Sequence, residues 1–338
     1  MKALLILFSP LSRFICRIKG DLYKKGKLKS RKAPLPVISV GNISFGGSEK
    51  TPLAMELIAH FLDRGWKPAL VSRGYRGLWE KEGGILSDGT GPKGTWRQGG
   101  DEAFMIARGF PGAGVFVGRD KLASCWKAHQ LGFRSVVLDD AFQHLRLERD
   151  VDIVLFDPCE KHALREGALS LKRAGIILVK DKPRTGIVEV LKASFPSAAV
   201  FDYRTMPKGF VSLRNGEKMP PDSFRGKTVL AFCGIANPSR FSNLLSELGA
   251  EVRSFLTFPD HYPYPAGSLD KIARIFAASG VEALITTEKD AVKIVPAGTA
   301  LENLPLFALR IGLSIKNGFF DLVEAGLKKA GAGTEDRT

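Results

Sequence analysis

Short apolar runs alternate with helix-like segments along most of the chain. In the first part the runs are PVISVGN, KPALVS, AGVFVG, RSVVLDD, VDIVLFD and GIILVK. Nearly continuous apolar runs of this length are typical of parallel strands covered on both faces. The pattern therefore predicts an α/β fold, with a mostly parallel sheet and helices on both of its faces.

A second series of the same kind begins near residue 226. The runs KTVLAFCGIANP, EVRSFLTFPDHY and VEALITTEKD alternate with helical stretches at 239–248 and 268–279. Between the two series, DYRTMPKGFVSLRNGEKMPPDSFRG is rich in Pro, Gly and charge, so we place a boundary there. We predict an N-terminal segment at 1–32, a first domain at 33–207 and a smaller α/β domain at 208–338. LPLFALRIGLSI is expected to pair with AVFDYR as a two-stranded linker.

The N-terminal segment is basic and amphipathic. At helical spacing one side is apolar, and residues 24–32 add a polybasic tract; the apolar positions are Leu4, Leu5, Phe8, Leu11, Ile15 and Ile18. The protein carries a net charge of +15, and residues 1–32 contribute +9 of it, from ten Lys or Arg and one acid. The longest apolar run is too short to cross a bilayer, so the pattern favours a helix lying on anionic lipid. A core-packed helix followed by a solvated charge run, or a nucleic-acid binder, also fits.

The cysteines give no sign of a metal site or a disulfide framework. Cys16, Cys125, Cys159 and Cys233 are far apart and form no CxxC pair. Reduced thiols in a cytoplasm are the simplest interpretation.

The segment VGNISFGGSEKT, residues 40–51, is typical of a phosphate-binding loop between a strand and a helix. Glycines permit the tight turn, backbone N–H groups bind phosphate, the lysine reaches the β- and γ-phosphates, and the hydroxyl binds Mg²⁺. The predicted nucleotide-binding residues are Gly46, Gly47, Ser48, Lys50 and Thr51. Ser44 and Glu49 stand where the strict GxxxxGK[ST] pattern has glycine, so an ordinary strand-to-helix turn remains an alternative.

Two pairs of acidic residues stand at the ends of predicted strands or helices. Asp139 and Asp140 end an apolar strand. Acids at this position hold Mg²⁺ in phosphate-binding-loop enzymes. The alternative is that the two acids only form a polar end of the strand. Asp101 and Glu102 follow a glycine pair and begin a helix. Asp101 is a candidate general base for a hydroxyl, and a simple first-turn acid is the alternative.

Two further loops carry candidate residues. His261 stands in FPDHYPYP after a strand of the second series, with Asp260 as a local partner. In SRGYRG, Arg73 and Tyr75 follow another strand and could hold a phosphorylated substrate. Most loop histidines have no catalytic role, and the second loop could simply be solvated.

Taken together and in this order, the motifs resemble one family, the tetraacyldisaccharide 4'-kinases, which are the lipid A 4'-kinases of Gram-negative bacteria. The resemblance extends over residues 40–293 and depends on VGNISFGGSEKTP, SRGYRG, GDE, GRD, LDDAFQHLRLERD, LRE, FCGIANPSRF, FPDHY and TTEKDAVK.

This resemblance implies a phosphate-binding-loop kinase that uses ATP and Mg²⁺. Its substrate would be an acylated glucosamine disaccharide 1-phosphate, whose 4'-hydroxyl is phosphorylated to give lipid IVA. The protein would be a peripheral, monotopic enzyme on the cytoplasmic face of the bacterial inner membrane, held by its anionic surface. No nucleic-acid partner is expected, and the protein is expected to be a monomer.

The resemblance also implies residue roles. Asp101 matches the base and His261 the histidine that assists it from the second domain. Thr51, Asp139, Asp140 and Glu166 are the implied metal ligands. The implied substrate-binding positions are Arg73, Tyr75, Glu102, Arg119, His144 and Arg165.

Departures from the family pattern concern Glu49, Arg76 and Ala141, which replace glycines, and Ala103 and Gly167, which replace prolines. Glu49 matters most, because a side chain is costly where glycine is preferred and a carboxylate repels a triphosphate. We expect its side chain to swing to solvent or the loop to be impaired. Two other functions stay open: a nucleotide-hydrolysing switch acting on nucleic acid or a membrane, and a non-catalytic membrane-associated binding protein.

Overall fold

The computed structural model describes residues 2–44, 49–158, 164–181, 186–294 and 298–331, with side chains of the first helix described from Pro10 onward. The chain forms two compact units, one of residues 1–204 with 313–338 and one of residues 205–312.

A sheet forms the centre of the first unit. Its strands are β1 (Val37–Asn42), β2 (Pro68–Ser72), β3 (Gly84–Asp88), β4 (Gly114–Val117), β5 (Ser135–Leu138), β6 (Val151–Phe156), β7 (Ile176–Lys180) and β8 (Ala199–Ser212), which continues into the second unit. They lie in the order β8-β7-β6-β1-β5-β2-β4-β3. Each neighbouring pair is parallel except β3 with β4. The predicted α/β class with a mostly parallel sheet is confirmed.

Helices cover both faces of this sheet. Between residues 2 and 204 the described helices are α1 (Lys2–Lys24), α2 (Lys50–Asp63), α3 (Trp79–Glu82), α4 (Trp96–Gly99), α5 (Asp101–Gly109), α6 (Lys121–Gln130), a 3₁₀ helix (Ala168–Arg173) and α7 (Ile187–Ser194). Every residue of β1 and β5 is buried, which requires cover on both sides. Helix α6 packs through Cys125 and Ala128, while α2 buries Leu53, Leu57 and Phe61.

The second unit repeats this architecture on a smaller scale. Its elements are β9 (Lys218–Met219), β10 (Thr228–Cys233), α8 (Pro238–Glu247), β11 (Glu251–Thr257), α9 (Ala266–Ser279), β12 (Ala283–Thr287), α10 (Glu288–Ala291) and β13 (Leu306–Ile315), which returns to the first unit. The order β11-β10-β12-β13 is parallel throughout. Alternate residues of β10 face opposite sides: Ala231 packs with Phe241 of α8, and Phe232 packs with Ile272 of α9.

The C-terminal part of the chain differs from the predicted division. Residues 313–338 belong to the first unit, although the sequence assigned all of 208–338 to the second. The reason is the final helix, α11 (Phe319–Lys329), which buries Phe319, Val323 and Leu327. The Phe319 ring lies 5.9 Å from the Phe201 ring, and Glu324 lies 2.8 Å from His60.

The predicted boundary segment contains the division between the two units, which lies between residues 204 and 205. Strand β8 extends through the first part of this segment, up to Ser212. Gly209 has φ 117°, and a Cβ there would meet the Met219 carbonyl oxygen of β9. Glycine therefore serves the close pairing of two strands here instead of ending one.

Candidate active site

The carboxyl ends of three neighbouring strands bring the main motifs together. Strands β1, β5 and β2 lie side by side and parallel, so the residues after them share one edge. Lys50, the first residue of α2, places its Nζ 2.8 Å from Asp140 Oδ1 and 3.2 Å from Asn42 Oδ1. The predicted loop lysine and a predicted strand-end acid therefore occupy the same site.

The glycine loop itself is described only at its ends. Gly46, Gly47 and Ser48, predicted to bind nucleotide, lie outside the described residues. Glu49 has φ 57°, in the left-handed region, and its carboxylate accepts hydrogen bonds from Lys180 Nζ and from Tyr203 Oη at 2.8 Å. Its side chain is 10% exposed. The expected swing to solvent is wrong, because the carboxylate is buried against β7 and β8 and paired with a lysine.

The two strand-end acids are in different electrostatic states. Burial raises the pKa of Asp139 to about 6, and the neighbouring charges of Glu102 and Asp140 add to the increase. For Asp140 desolvation also favours a higher pKa, but Lys50 and Arg165 outweigh it and hold the pKa well below the ordinary value. Asp139 Oδ1 is buried without a hydrogen-bond partner among the described residues. Such an orphaned oxygen is the group that a cation would satisfy.

The acids of α5 lie beside the start of α2. Thr51 Oγ1 donates a hydrogen bond of 2.8 Å to Glu102 Oε2, and Glu102 N donates to Asp101 Oδ1 at 2.9 Å. Gly100 precedes them with φ 84°, and a Cβ there would lie 2.9 Å from the Tyr75 carbonyl oxygen. Asp101 is 4% exposed, whereas a first-turn acid that served only the helix dipole would normally face water.

Lys121 belongs to this site, and the sequence analysis missed it. It begins α6 directly after Asp120, whose carboxylate accepts hydrogen bonds from the first turn. Its Nζ donates to the Asp139 carbonyl oxygen, and burial lowers its pKa. The signal was available, since Lys121 follows the GRD motif, but only Arg119 of that motif was assigned a role.

The segment after β6 adds one cation to the site and holds one predicted metal ligand, Glu166, in an ion pair. Arg165 Nη1 lies 2.9 Å from Asp140 Oδ2 and 3.1 Å from Oδ1. Glu166 is 5% exposed and pairs with Arg173 Nη2 at 2.9 Å. The role of Glu166 as a metal ligand stays a prediction.

His144 lies near Lys121 of this site and Lys19 of α1. Burial lowers its pKa to about 4, and the charges of Lys121 and Lys19 act in the same direction. The imidazole is therefore neutral at neutral pH and can accept as well as donate a hydrogen bond.

Two predicted substrate arginines share a partner that the sequence did not reveal. Arg73 Nε lies 2.7 Å from Glu80 Oε1, and Arg119 Nε lies 3.8 Å from the same atom. Both arginine side chains are more than half exposed. Tyr75 is 51% exposed, and Arg76, at φ 62°, donates its N–H to Glu80 Oε2 at 3.1 Å. Glu80 thus organises an exposed basic loop beside β2.

His261 lies in the second unit, in a tightly turned loop. It has φ 62°, and its N–H donates to the Gly234 carbonyl oxygen at 3.1 Å. Its Nε2 lies 3.3 Å from Lys289 Nζ and 3.8 Å from Asp260 Oδ2. The sequence identified Asp260 but not Lys289 as a neighbour. The assistance of Asp101 by His261 stays a prediction, because the two residues belong to different units.

Comparison with known proteins identifies the family. The family model described as tetraacyldisaccharide-1-P 4'-kinase matches residues 1–328. The chain belongs to this family. A tetraacyldisaccharide 4'-kinase of Desulfatibacillum aliphaticivorans is 36% identical over 96% of this chain and 93% of its own. One from Anaeromyxobacter dehalogenans (strain 2CP-C) is also 36% identical, over 96% of this chain and 89% of its own.

A solved structure extends the likeness to three dimensions. The crystal structure described as the "apo" form of LpxK from Aquifex aeolicus in complex with ATP has a TM-score of 0.76 to this chain. The two are 28% identical, and the match covers 96% of this chain and 99% of the other. The resemblance inferred from the motifs is thereby confirmed at the level of the family and of the fold.

In this family member, α1 lies against the active-site segments. Ser12 Oγ donates to the Arg165 carbonyl oxygen and Lys19 Nζ to that of Gln143, both at 3.1 Å. A different side of the helix is apolar and 45–60% exposed; it consists of Leu11, Phe14, Ile15 and Ile18. Within the described residues, no helix is long and apolar enough to cross a membrane.

Proposed function

We propose that the protein transfers the γ-phosphoryl group of ATP to the 4'-hydroxyl of a tetraacylated glucosamine disaccharide 1-phosphate, giving lipid IVA. One observation carries the proposal. In a member of the tetraacyldisaccharide-1-P 4'-kinase family, one sheet edge gathers Lys50, Thr51, the Asp139–Asp140 pair and the buried Asp101. The ATP named in the description of the Aquifex aeolicus structure supports ATP as the donor.

The phosphates of ATP are proposed to bind at the start of α2. Free N–H groups and the helix dipole favour an anion there, and Lys50 adds a full positive charge. Lys50 lies within 3.2 Å of two oxygen atoms, which hold it at the sheet edge.

Magnesium fits the residues at this edge. Hard oxygen donors of the kind that Mg²⁺ prefers are Asp139 Oδ1, which has no hydrogen-bond partner in the described part of the chain, the neighbouring Asp140 and the Thr51 hydroxyl. We propose these three residues as its site. When bound, the ion neutralises charge on the phosphate oxygens.

Asp101 is proposed as the general base. The 4'-hydroxyl oxygen forms a bond to the γ-phosphorus, the bond from that phosphorus to the β–γ bridging oxygen breaks, and ADP leaves. The hydroxyl proton passes to the Asp101 carboxylate. Burial of Asp101 and the N–H donated by Glu102 fix the orientation of this carboxylate. His261 is proposed to assist it, as the family resemblance implies.

The acceptor is proposed to be held by the polar side chains around this edge. Arg73, Tyr75 and Arg119 offer exposed donors beside β2, and bidentate guanidinium groups suit a phosphate. Further proposed contacts with the acceptor come from Glu102, His144 and Arg165.

The exposed apolar side of α1 supports a location on a membrane surface. A water-exposed row of four large apolar residues is costly unless it is covered, and the basic tract that follows would attract anionic lipid. We propose a monomeric, peripheral protein on the cytoplasmic face of the bacterial inner membrane, where an acylated acceptor resides. Helix α1 would then rest on lipid with the active site beside it.

The test is incubation with labelled ATP and acylated disaccharide 1-phosphate, followed by mass analysis of the lipid. The expected product carries one added phosphate, and ADP forms in equal amount. ATP hydrolysis without a phosphorylated lipid would favour a nucleotide-hydrolysing switch. Failure to bind ATP·Mg²⁺ at all would favour a non-catalytic binding protein.

A further inference from the structure

Glu49, Lys180 and Tyr203 form a buried cluster next to the first turn of α2. Glu49 precedes α2, Lys180 is the last residue of β7, and Tyr203 lies in β8. Lys180 and Tyr203 are register partners in the parallel β7–β8 pair, so their side chains project from the same side of the sheet. The Glu49 and Lys180 side chains are 10% and 13% exposed, and Tyr203 is 1% exposed. Each oxygen of the Glu49 carboxylate has its own donor.

The backbone of Glu49 is in a conformation that its side chain disfavours. A φ of 57° lies in the left-handed region, where glycine is the usual residue. Non-glycine residues stay there only when the surroundings hold them. The two hydrogen bonds to the carboxylate supply that restraint. They therefore hold the residue that immediately precedes Lys50 and Thr51.

The charge of the cluster matters as well. An unpaired carboxylate beside Lys50 would compete for its ammonium group and repel the phosphates. The pair with Lys180 neutralises Glu49, and both carboxylate oxygens are bonded to residues of β7 and β8. Lys50 is left to the Asp140 and Asn42 oxygens.

We propose that Lys180 and Tyr203 are positioning residues for nucleotide binding. They hold Glu49 so that Lys50 and Thr51 face the phosphates, and they compensate for a carboxylate at a position suited to glycine. This inference rests on the proposed use of ATP at this site and deepens it.

The experiment compares ATP·Mg²⁺ binding and steady-state kinetics for Lys180→Met, Glu49→Gln and the double variant. Lys180→Met frees the Glu49 carboxylate, so we expect its Kd and KM for ATP to rise about tenfold with kcat within about twofold. The double variant removes the freed charge, and its Kd is expected to return to within about threefold of the wild-type value. Lys93→Met breaks an exposed lysine–aspartate pair at 3.4 Å in the same unit and is the matched control, with no change expected.

Unchanged ATP binding in Lys180→Met, or no recovery in the double variant, would overturn the inference. A purely structural role would lower the amount of folded protein, and with it the apparent kcat, while leaving KM unaltered. If Lys180→Met does not fold, Tyr203→Phe removes only the hydroxyl and is expected to raise Kd about threefold; an unaltered Kd would then reject the inference. If Lys180→Met weakens ATP binding but the wild type does not phosphorylate the lipid, the proposed acceptor would be rejected, while the positioning role of Lys180 would stand.

Discussion

The Thr51 hydroxyl donates a hydrogen bond of 2.8 Å to Glu102 Oε2. This bond joins the first turn of α2 to the first turn of α5, which are 51 residues apart in the chain. It places Asp101 and Lys50 on the same edge of the sheet. The Glu102 charge also contributes to the raised pKa of Asp139. The predicted phosphate-binding and proton-accepting groups are therefore coupled through one side-chain contact.

The Thr51 hydroxyl can be tested by two substitutions that differ in one group. Thr51→Val keeps the shape but removes the oxygen, so we expect ATP affinity in the presence of Mg²⁺ to fall about tenfold. Thr51→Ser keeps the oxygen and should bind nearly as the wild type does. Calorimetric titrations with Mg²⁺ and with EDTA measure the effect. An equal loss under both conditions would argue against a role for Thr51 in holding the ion.

Asp101→Asn removes the proposed base with little change in size. We expect kcat for lipid phosphorylation to fall by about 10²- to 10⁴-fold, with ATP affinity within about twofold, because the carboxylate acts on the acceptor hydroxyl. Asp88→Asn, at an exposed acid of β3, is the control. Lipid phosphorylation at the wild-type rate in Asp101→Asn would refute the assignment.

His144 should make the protein sensitive to mild acid. Its pKa falls from 6.5 to about 4 in the folded state, mainly because of burial and then because of Lys121 and Lys19. Below pH 6.5 the unfolded chain gains a proton that the folded chain does not, so the free energy of unfolding decreases as the pH falls toward 4. At pH 5 this loss amounts to about 1–2 kcal/mol, and it should be absent in His144→Gln. Urea unfolding at pH 7.5 and pH 5 measures it, and an identical pH dependence in both proteins would contradict the prediction.

The exposed side of α1 is expected to carry membrane binding. Replacing Leu11, Phe14, Ile15 and Ile18 by serine should lower the fraction that sediments with anionic liposomes by more than about tenfold, since each large apolar side chain gains about 1.5–3 kcal/mol on full burial. ATP binding should be retained. Leu131→Ser with Leu169→Ser removes exposed apolar residues elsewhere in the same unit and should sediment normally. Equal sedimentation of the α1 variant would remove the membrane proposal.

A buried ion pair is connected to the loop of His261 through Gly234, whose carbonyl oxygen accepts the His261 N–H. Lys293 Nζ lies 2.9 Å from Asp290 Oδ1, with 1% and 0% of the two side chains exposed, and Asp290 Oδ2 accepts the Gly234 N–H at 2.9 Å. Lys293→Met leaves a buried carboxylate without its cation, which should cost about 3–5 kcal/mol of unfolding free energy. Glu251→Gln breaks an exposed pair and should change it by less than about 0.5 kcal/mol. Denaturant unfolding followed by circular dichroism compares them, and similar midpoints would contradict the prediction.

The sequence predicted most of the strands because their signal is local. Runs such as RSVVLDD and VDIVLFD became buried parallel strands, and 239–248 and 268–279 became helices within two residues of their predicted ends. It failed where a distant contact decides the placement of a segment. All of 208–338 was assigned to the second domain, yet α11 belongs to the first unit, where Phe319 meets Phe201 and Glu324 meets His60.

Hydrophobic periodicity and the spacing of a few motifs were enough to determine the α/β class, the sheet edge that holds Lys50 and the Asp139–Asp140 pair, and the resemblance to the family. Only the tertiary structure decided which side chains meet. Glu49 is hydrogen-bonded to Lys180 and Tyr203, which are 131 and 154 residues away. Glu166 pairs with Arg173, and the Asp139 carbonyl oxygen accepts a hydrogen bond from Lys121. The physical reason is that strand and helix formation follows from neighbours along the chain, whereas the partner of a buried charge is set by the packing of distant segments.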